Sequence, residues 1–230
     1  MKSMNTPLKL VIFDIDGTLV DSQYHIVASM SHAFRAAGRP VPSRADALGI
    51  VGLSLPEAMA VLAPDAEYDE RMQLAQDYKT GNRLHREDGA AVANTPLYGG
   101  ALDVIHHLDA AGYLLSAATG KSRAGLDRFM RAHELSHMFL ATQTADDAPS
   151  KPHPQMILNC LAGTGAEAAH SVMIGDTEFD MAMGRAANVR RIGVRWGYHE
   201  DARLQRGGAE RMADETAELA SLVAELIGEP

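Results

Sequence analysis

Leu10-Val11-Ile12-Phe13-Asp14-Ile15-Asp16-Gly17-Thr18-Leu19 decides how this chain is read. The four leading apolar residues read as a short buried strand. Two carboxylates follow, two positions apart, so a continuing strand presents both on one side. Gly17 permits a tight turn behind them and Thr18 a local hydrogen bond. Two like charges that close repel each other. A hard divalent cation with oxygen ligands is the usual reason for keeping such a pair. The plainer alternative is a strand that runs into an Asp-rich turn.

Outward from residues 8–13, four more segments read as strands: residues 113–118, 139–143, 171–174 and 191–194. Helical spacing separates them. Ala101, Val104, Ile105 and Leu108 share a face; Ser122 can cap a helix reaching about His133; residues 154–162, 178–187 and 216–227 complete the set. Strands alternating with helices predict an α/β fold, a doubly wound parallel sheet covered on both faces. The stretch between the first strand and the second breaks that rhythm, because it holds no convincing strand and far exceeds an ordinary connection. Residues 20–37, 55–62 and 69–84 read as helices within it. The expected organisation is therefore a Rossmann-like core, residues 1–20 and 95–230, with an all-helical domain, residues 21–94, inserted beside Asp14 and Asp16. An insertion there can act as a lid.

With 230 residues, 46% of them hydrophobic, the chain can fill one good core and a second, smaller one. The net charge of −9 without a Lys/Arg cluster speaks against a nucleic-acid partner. Cys160 is the single cysteine, so no internal disulfide forms, a reducing compartment is expected, and its apolar neighbours make it a buried structural thiol. No apolar run reaches membrane-spanning length, and residues 1–9 lack the pattern of a secretory signal. A cytoplasmic monomer or homodimer that meets no membrane is expected.

Ligands of an open parallel sheet bind beyond the carboxyl ends of its strands. Asp14 and Asp16 follow the first strand there, and Thr119, Gly120, Lys121 and Ser122 the second. Asp146, Asp147 and then Lys151 come after the third, Gly175, Asp176 and Asp180 after the fourth. Four segments thus deliver carboxylates, a hydroxyl and an ammonium to one rim. Each has a plainer reading: Thr119-Gly120 as a strand-to-helix turn, Lys151 as a solvated loop lysine, Asp176 and Asp180 as an acidic helix start.

The ordered set resembles the haloacid dehalogenase superfamily of phosphohydrolases, and within it the phosphoglycolate phosphatase group. The motifs that carry the resemblance are Asp14-Ile15-Asp16-Gly17-Thr18, then Thr119, then Lys151, then Asp176 with Asp180. The resemblance implies that Asp14 attacks phosphorus and forms an aspartyl-phosphate. It implies that Asp16 protonates the leaving alkoxide and then activates water, which requires an Asp16 pKa above the ordinary value of about 3.9. Mg²⁺ would be bound by Asp14, Asp176 and the main-chain carbonyl of Asp16, with Asp180 holding a ligand water or orienting Lys151. Thr119, the Gly120 amide and Lys151 would bind phosphoryl oxygens, helped by the helix dipole near Ser122.

The cap would choose the substrate, a small phosphorylated metabolite. Asp21, Ser22 and the loop Val51-Gly52-Leu53-Ser54-Leu55 are the candidates to face the site, with Gly52, Ser54 and Leu55 foremost. Mutases of this family tend to place a cation where Leu55 stands, which disfavours mutase activity and suits a small ester such as phosphoglycolate. Pyrophosphate and sugar phosphates stay open. Dehalogenases typically lack the second Asp, here Asp16. A phosphonate hydrolase needs a Schiff-base lysine, and Lys79 is the only lysine of the cap. A non-catalytic phosphate-binding module is the alternative of another class. His106 and His107 read as surface residues and Trp196 as structural, while His153 and Arg123 lie either at the rim or on exposed helix faces.

Overall fold

The computed structural model describes residues 7–87 and 96–230. Its core is one six-stranded sheet in the order β3-β2-β1-β4-β5-β6, every neighbouring pair parallel. The strands are β1 (Leu10–Phe13), β2 (Leu114–Ala118), β3 (Phe139–Gln143), β4 (Ser171–Gly175), β5 (Arg190–Val194) and β6 (Arg211–Ala213). The chain starts in the middle and winds outward both ways, so the order reverses at β1. That switch point is where a doubly wound sheet opens a crevice.

Alternation along the strands splits the interior into two cores. Val11 and Phe13 of β1, Leu115 and Ala117 of β2, and Val172 and Ile174 of β4 point to one face. There they meet α5 (Ala101–Ala110), α6 (Arg123–Ala132) and α10 (Leu219–Ile227). Leu10, Ile12 and Met173 point to the other, against α7 (Gln155–Thr164) and α8 (Glu178–Ala186). Cys160 is fully buried in this second core, and burial pushes its thiol up to about 12, so it packs as a small apolar group.

Between β1 and α5 lies the helical insertion: α1 (Gln23–Ala36), α2 (Arg44–Gly49), α3 (Leu55–Leu62) and α4 (Tyr68–Glu87). Its two connections run side by side. Asp21 N donates to Pro96 O (2.9 Å) and Tyr98 N to Leu19 O (3.0 Å). The expected boundary at residues 94 and 95 lies outside the described residues. The cap has its own core around Met30, Phe34, Met59 and Leu74. Six of its eleven buried members are alanines: Ala33, Ala47, Ala58, Ala63, Ala66 and Ala75. A buried Leu or Phe contributes roughly 1.5–3 kcal/mol and an alanine far less, so this core is thin and the cap leans on its contacts with the sheet domain.

Five elements differ from the sequence expectation. The first cap helix starts at Gln23 rather than residue 20, because residues 16–20 form a turn with bridges Asp16↔Val20 and Val20↔Leu97. Two short helices appear, α2 and α9 (Asp201–Gly207), the former capped by Ser43, which accepts from Asp46 N. The edge strand β6 is only three residues long, with Arg211 exposed, too short to show a period. Residues 216–218 form a 3₁₀ turn ahead of α10.

Candidate active site

β1 and β4 are neighbours, so the residues just past their ends lie side by side. Asp14 N donates to Ile174 O (2.9 Å), which ties the first carboxylate to the end of β4. Asp176 follows β4 directly. Thr177 then caps α8: its hydroxyl accepts from Asp180 N (3.2 Å), while Asp180 Oδ2 accepts from Thr177 N (3.1 Å) and from Thr177 Oγ1 (2.6 Å). This reciprocal cap turns the Asp180 side chain back toward the strand ends. One carboxylate oxygen from each of Asp14, Asp176 and Asp180 lies within 4.8 Å of the other two, and all three residues are 0% exposed.

Lys151 enters from the loop after β3 with an equally buried side chain. Its Nζ donates to Asp180 Oδ1 (2.6 Å) and lies 2.8 Å from Asp14 Oδ1, the latter an ion pair without hydrogen-bond direction. Asp176 Oδ1 accepts from Thr18 Oγ1 (2.9 Å) and Oδ2 from Tyr198 N (2.9 Å). Asp14 Oδ2 has no hydrogen-bond donor among the described residues. Three buried carboxylates therefore face one ammonium, which leaves two negative charges uncompensated if all ionise. Burial pushes the Asp14 carboxyl up to about 7, against the pull of Lys151 and with the push of Asp180 and Asp16. Burial, then Asp14 and Asp180, raise Asp176 well above the carboxylate range. Burial alone would lower Lys151, yet the flanking Asp14 and Asp180 outweigh it and hold the ammonium charged.

An all-oxygen donor set with an orphaned buried oxygen and surplus negative charge fits a hard divalent cation. Two glycines leave no slack around Asp176. A Cβ on Gly17, whose φ is +85°, would come within 2.1 Å of Asp176 Oδ2, and one on Gly197 within 2.1 Å of Asp176 Cβ.

Asp16 stands outside this carboxylate triple. Its Oδ1 accepts from Lys121 Nζ at 2.6 Å, and its side chain retains 16% exposure. It lies where two cavities meet. The smaller, about 70 Å³, is lined by Asp14, Asp16, Thr119, Gly120 and cap residues including Gly52 and Leu55. The larger, about 450 Å³, shares Asp16, Ile26, Leu55 and Tyr78 with it and runs between α1, α4 and α6.

The cap loop sits directly on the core rim. A Cβ on Gly120 would meet Gly52 O at 2.9 Å, so the loop and the Thr119-Gly120 turn are in main-chain contact. Ser54 is not among the residues lining either cavity; its N donates to Ser150 Oγ (2.8 Å), beside Lys151. Ser22 lines the larger cavity, and its N donates to Tyr198 OH (2.9 Å); Asp21 accepts from Gln23. His199 forms a second link. Its Nδ1 accepts from Glu178 N (3.0 Å), so its Nε2 carries the proton and donates to Gly49 O (3.1 Å). Burial, with Arg203 nearby, holds this imidazole down at about 4.

The remaining candidates lie elsewhere. Trp196 Nε1 donates to Thr18 O (3.0 Å), and the ring packs against the sheet core. His153 is exposed and accepts from Gln155 N. Arg123 pairs with Asp147, and His106 and His107 are exposed. Sequence reasoning gave Thr18 only a local hydrogen bond and assigned no role to Lys121 or Tyr198. Thr18 and Lys121 were within reach of it, one inside the leading motif and one on the rim. Tyr198 binds Asp176 through its backbone N–H, which leaves no trace in residue type.

Residues 11–194 match the family model described as haloacid dehalogenase-like hydrolase. A protein of Dickeya dadantii named "Probable phosphatase IndB" is 33% identical, with 91% of each chain covered. "Pyrophosphatase PpaX" of Bacillus pumilus is 28% identical over 94% of this chain and 96% of its own. A hydrolase of Pseudomonas syringae of known crystal structure superposes with a TM-score of 0.83 over 95% of this chain and 99% of its own, at 23% identity. No helix among the described residues is long and apolar enough to cross a membrane.

Proposed function

The chain belongs to the haloacid dehalogenase-like hydrolases, and on that premise we propose that it is a Mg²⁺-dependent phosphatase that cleaves a small phosphorylated metabolite through an aspartyl-phosphate on Asp14. The observation that carries this reading is the buried set Asp14, Asp176, Asp180 and Lys151, with Asp14 Oδ2 lacking a donor. The names of the phosphatase and pyrophosphatase relatives support it.

In this reading Asp14 and Asp176 hold the ion, together with the carbonyl of Asp16. The bound ion would neutralise charge on the phosphoryl oxygens and keep Asp14 ionised. The chain's own groups do the rest. Lys151, fixed between Asp14 and Asp180, holds one phosphoryl oxygen; Thr119 and the Gly120 amide hold others inside the smaller cavity. A free Asp14 oxygen attacks phosphorus as the ester P–O bond breaks. Asp16, at the mouth of the larger cavity, gives its proton to the departing oxygen. It then takes one from the water that attacks phosphorus, releasing phosphate and restoring Asp14. The cap loop over Gly120 excludes bulk water during the transfer.

Hydrolysis of p-nitrophenyl phosphate tests the reading. It should require Mg²⁺, stop with EDTA and disappear in Asp14→Asn. Metal-independent turnover, or turnover that survives the substitution, contradicts it. A pyrophosphatase is the second reading, favoured by the named relatives; inorganic pyrophosphate in the same assay decides between them.

A further inference from the structure

The larger cavity concentrates positive charge in a chain whose net charge is −9. Lys79 of α4, Arg128 of α6 and Lys121 line it, and Asp16 is the only acidic residue lining it among the described residues. Lys121 is committed to Asp16. Lys79 and Arg128 line only the larger cavity, away from the phosphoryl pocket, and neither forms an ion pair or hydrogen bond among the described residues. Arg123, on the same helix α6, is spent on Asp147. One of the two free cations comes from the cap and one from the sheet domain, so a ligand that meets both bridges the domains. A cavity of about 450 Å³ lies within the range of roughly 300–1,000 Å³ usual for small-molecule sites, well beyond the need of a two-carbon acid.

We propose that the natural ester has a sugar-sized leaving group that carries a second anionic group, a carboxylate or a phosphate, received by Lys79 and Arg128. This rests on the phosphatase reading and narrows it, moving the substrate away from phosphoglycolate and pyrophosphate. Ser22, Asn82 and Ser122 on the same wall offer hydrogen bonds to hydroxyl groups along the way. Because both cations touch only the part of the substrate that does not react, they act mainly on KM.

Matched pairs of esters test it. The first pair is 6-phosphogluconate against glucitol 6-phosphate, open chains that differ only by a terminal carboxylate in place of a hydroxymethyl group; the second is fructose 1,6-bisphosphate against fructose 6-phosphate. In the parent protein kcat/KM should favour the doubly anionic member of at least one pair by about tenfold, the scale of two solvent-touched charge contacts. Preference in the first pair alone assigns a carboxylate, in the second alone a phosphate. In Lys79→Gln/Arg128→Gln the preference should fall to near one, through KM. Equal kcat/KM within both pairs of the parent, or a preference that survives in the double variant, overturns the inference while leaving the phosphatase reading standing. Absence of any Mg²⁺-dependent hydrolysis that Asp14→Asn abolishes removes that reading, and the inference with it. Phosphoglycolate exceeding all four esters likewise overturns the inference alone.

Discussion

The two cavities that meet at Asp16 are built on opposite plans. The smaller one is walled by the turns after β1 and β2 and by the cap, and at Asp14 it backs onto a cluster of charges without solvent contact: Asp14, Asp176, Asp180 and Lys151 are all at most 1% exposed. Each is held by a neighbour, Asp176 by Thr18 and Tyr198, Asp180 by Thr177 and Lys151. The larger one is walled by helices, and its cations Lys79 and Arg128 are exposed and unpaired among the described residues. Positioning of a reacting phosphorus demands rigid groups in a dry site, where electrostatic interactions are strong. Recognition of a remote substituent needs only charge within reach. On the proposed reading, the chemistry would reside in the buried, mutually bonded cluster and the selectivity in positions that substitution can alter cheaply.

Loss of the nucleophile should give the largest contrast. Asp14→Asn is expected to lower kcat for any phosphate ester by about 10⁴-fold or more. It should not lower the melting temperature of the metal-free protein, because the substitution removes a buried charge. A marked loss of stability in that variant would show that the carboxylate triple is structural rather than poised for a cation.

Removal of one lysine from the buried cluster and one from the larger cavity sharpens the comparison next. Lys151→Met leaves three buried carboxylates without their ammonium and should cost about 3–5 kcal/mol in chemical denaturation. Lys79→Met, on an exposed helix face, should stay within about 0.5 kcal/mol of the parent. Equal effects would erase the distinction between the two plans.

The same distinction explains what could be read from the sequence. Buried strands are short apolar runs, so five of six strands and the doubly wound sheet follow from pattern; β6 escapes because three edge residues carry no period. The helices α2 and α9 are six and seven residues long, with charged residues throughout, and give no apolar stripe. Within the site, carboxylates placed after strands are anomalous enough to notice. Lys79 and Arg128 are exposed cations on helices, the commonest of surface patterns, and only the fold shows that α4 and α6 face one cavity. Tyr198 was illegible for another reason: its contact with Asp176 is made by the backbone.

A smaller effect probes the tightness of the buried carboxylate cluster. Gly17→Ala places a methyl 2.1 Å from Asp176 Oδ2 at a positive φ. It should lower stability by about 1–3 kcal/mol and weaken Mg²⁺ binding measured by calorimetry. Unchanged Mg²⁺ affinity would mean that Asp176 does not hold the ion.

The smallest expected effect concerns the latch between cap and core. His199 is held near 4 in the folded chain against an ordinary value of 6.5. A depressed pKa means that the folded chain binds fewer protons than the unfolded one. Its contribution is thus complete above about 6.5 and is lost as the pH falls toward 4. Arg203, Glu178 and Asp180 are the charged groups that act on this imidazole. The protection factors of the α2 amides, with the intrinsic pH dependence of exchange divided out, should fall through that window in the parent and lose part of this pH dependence in His199→Gln. An identical pH profile in both would remove the latch.

The covalent intermediate on Asp14 offers the most direct test of the account. Acid quenching during turnover of a phosphate ester, followed by borohydride reduction, converts an aspartyl-phosphate into homoserine that peptide mass spectrometry can locate. The account predicts homoserine at Asp14, dependent on Mg²⁺ and substrate. Homoserine at Asp16 or Asp176 instead, or none at Asp14 while phosphate is being released, would contradict it.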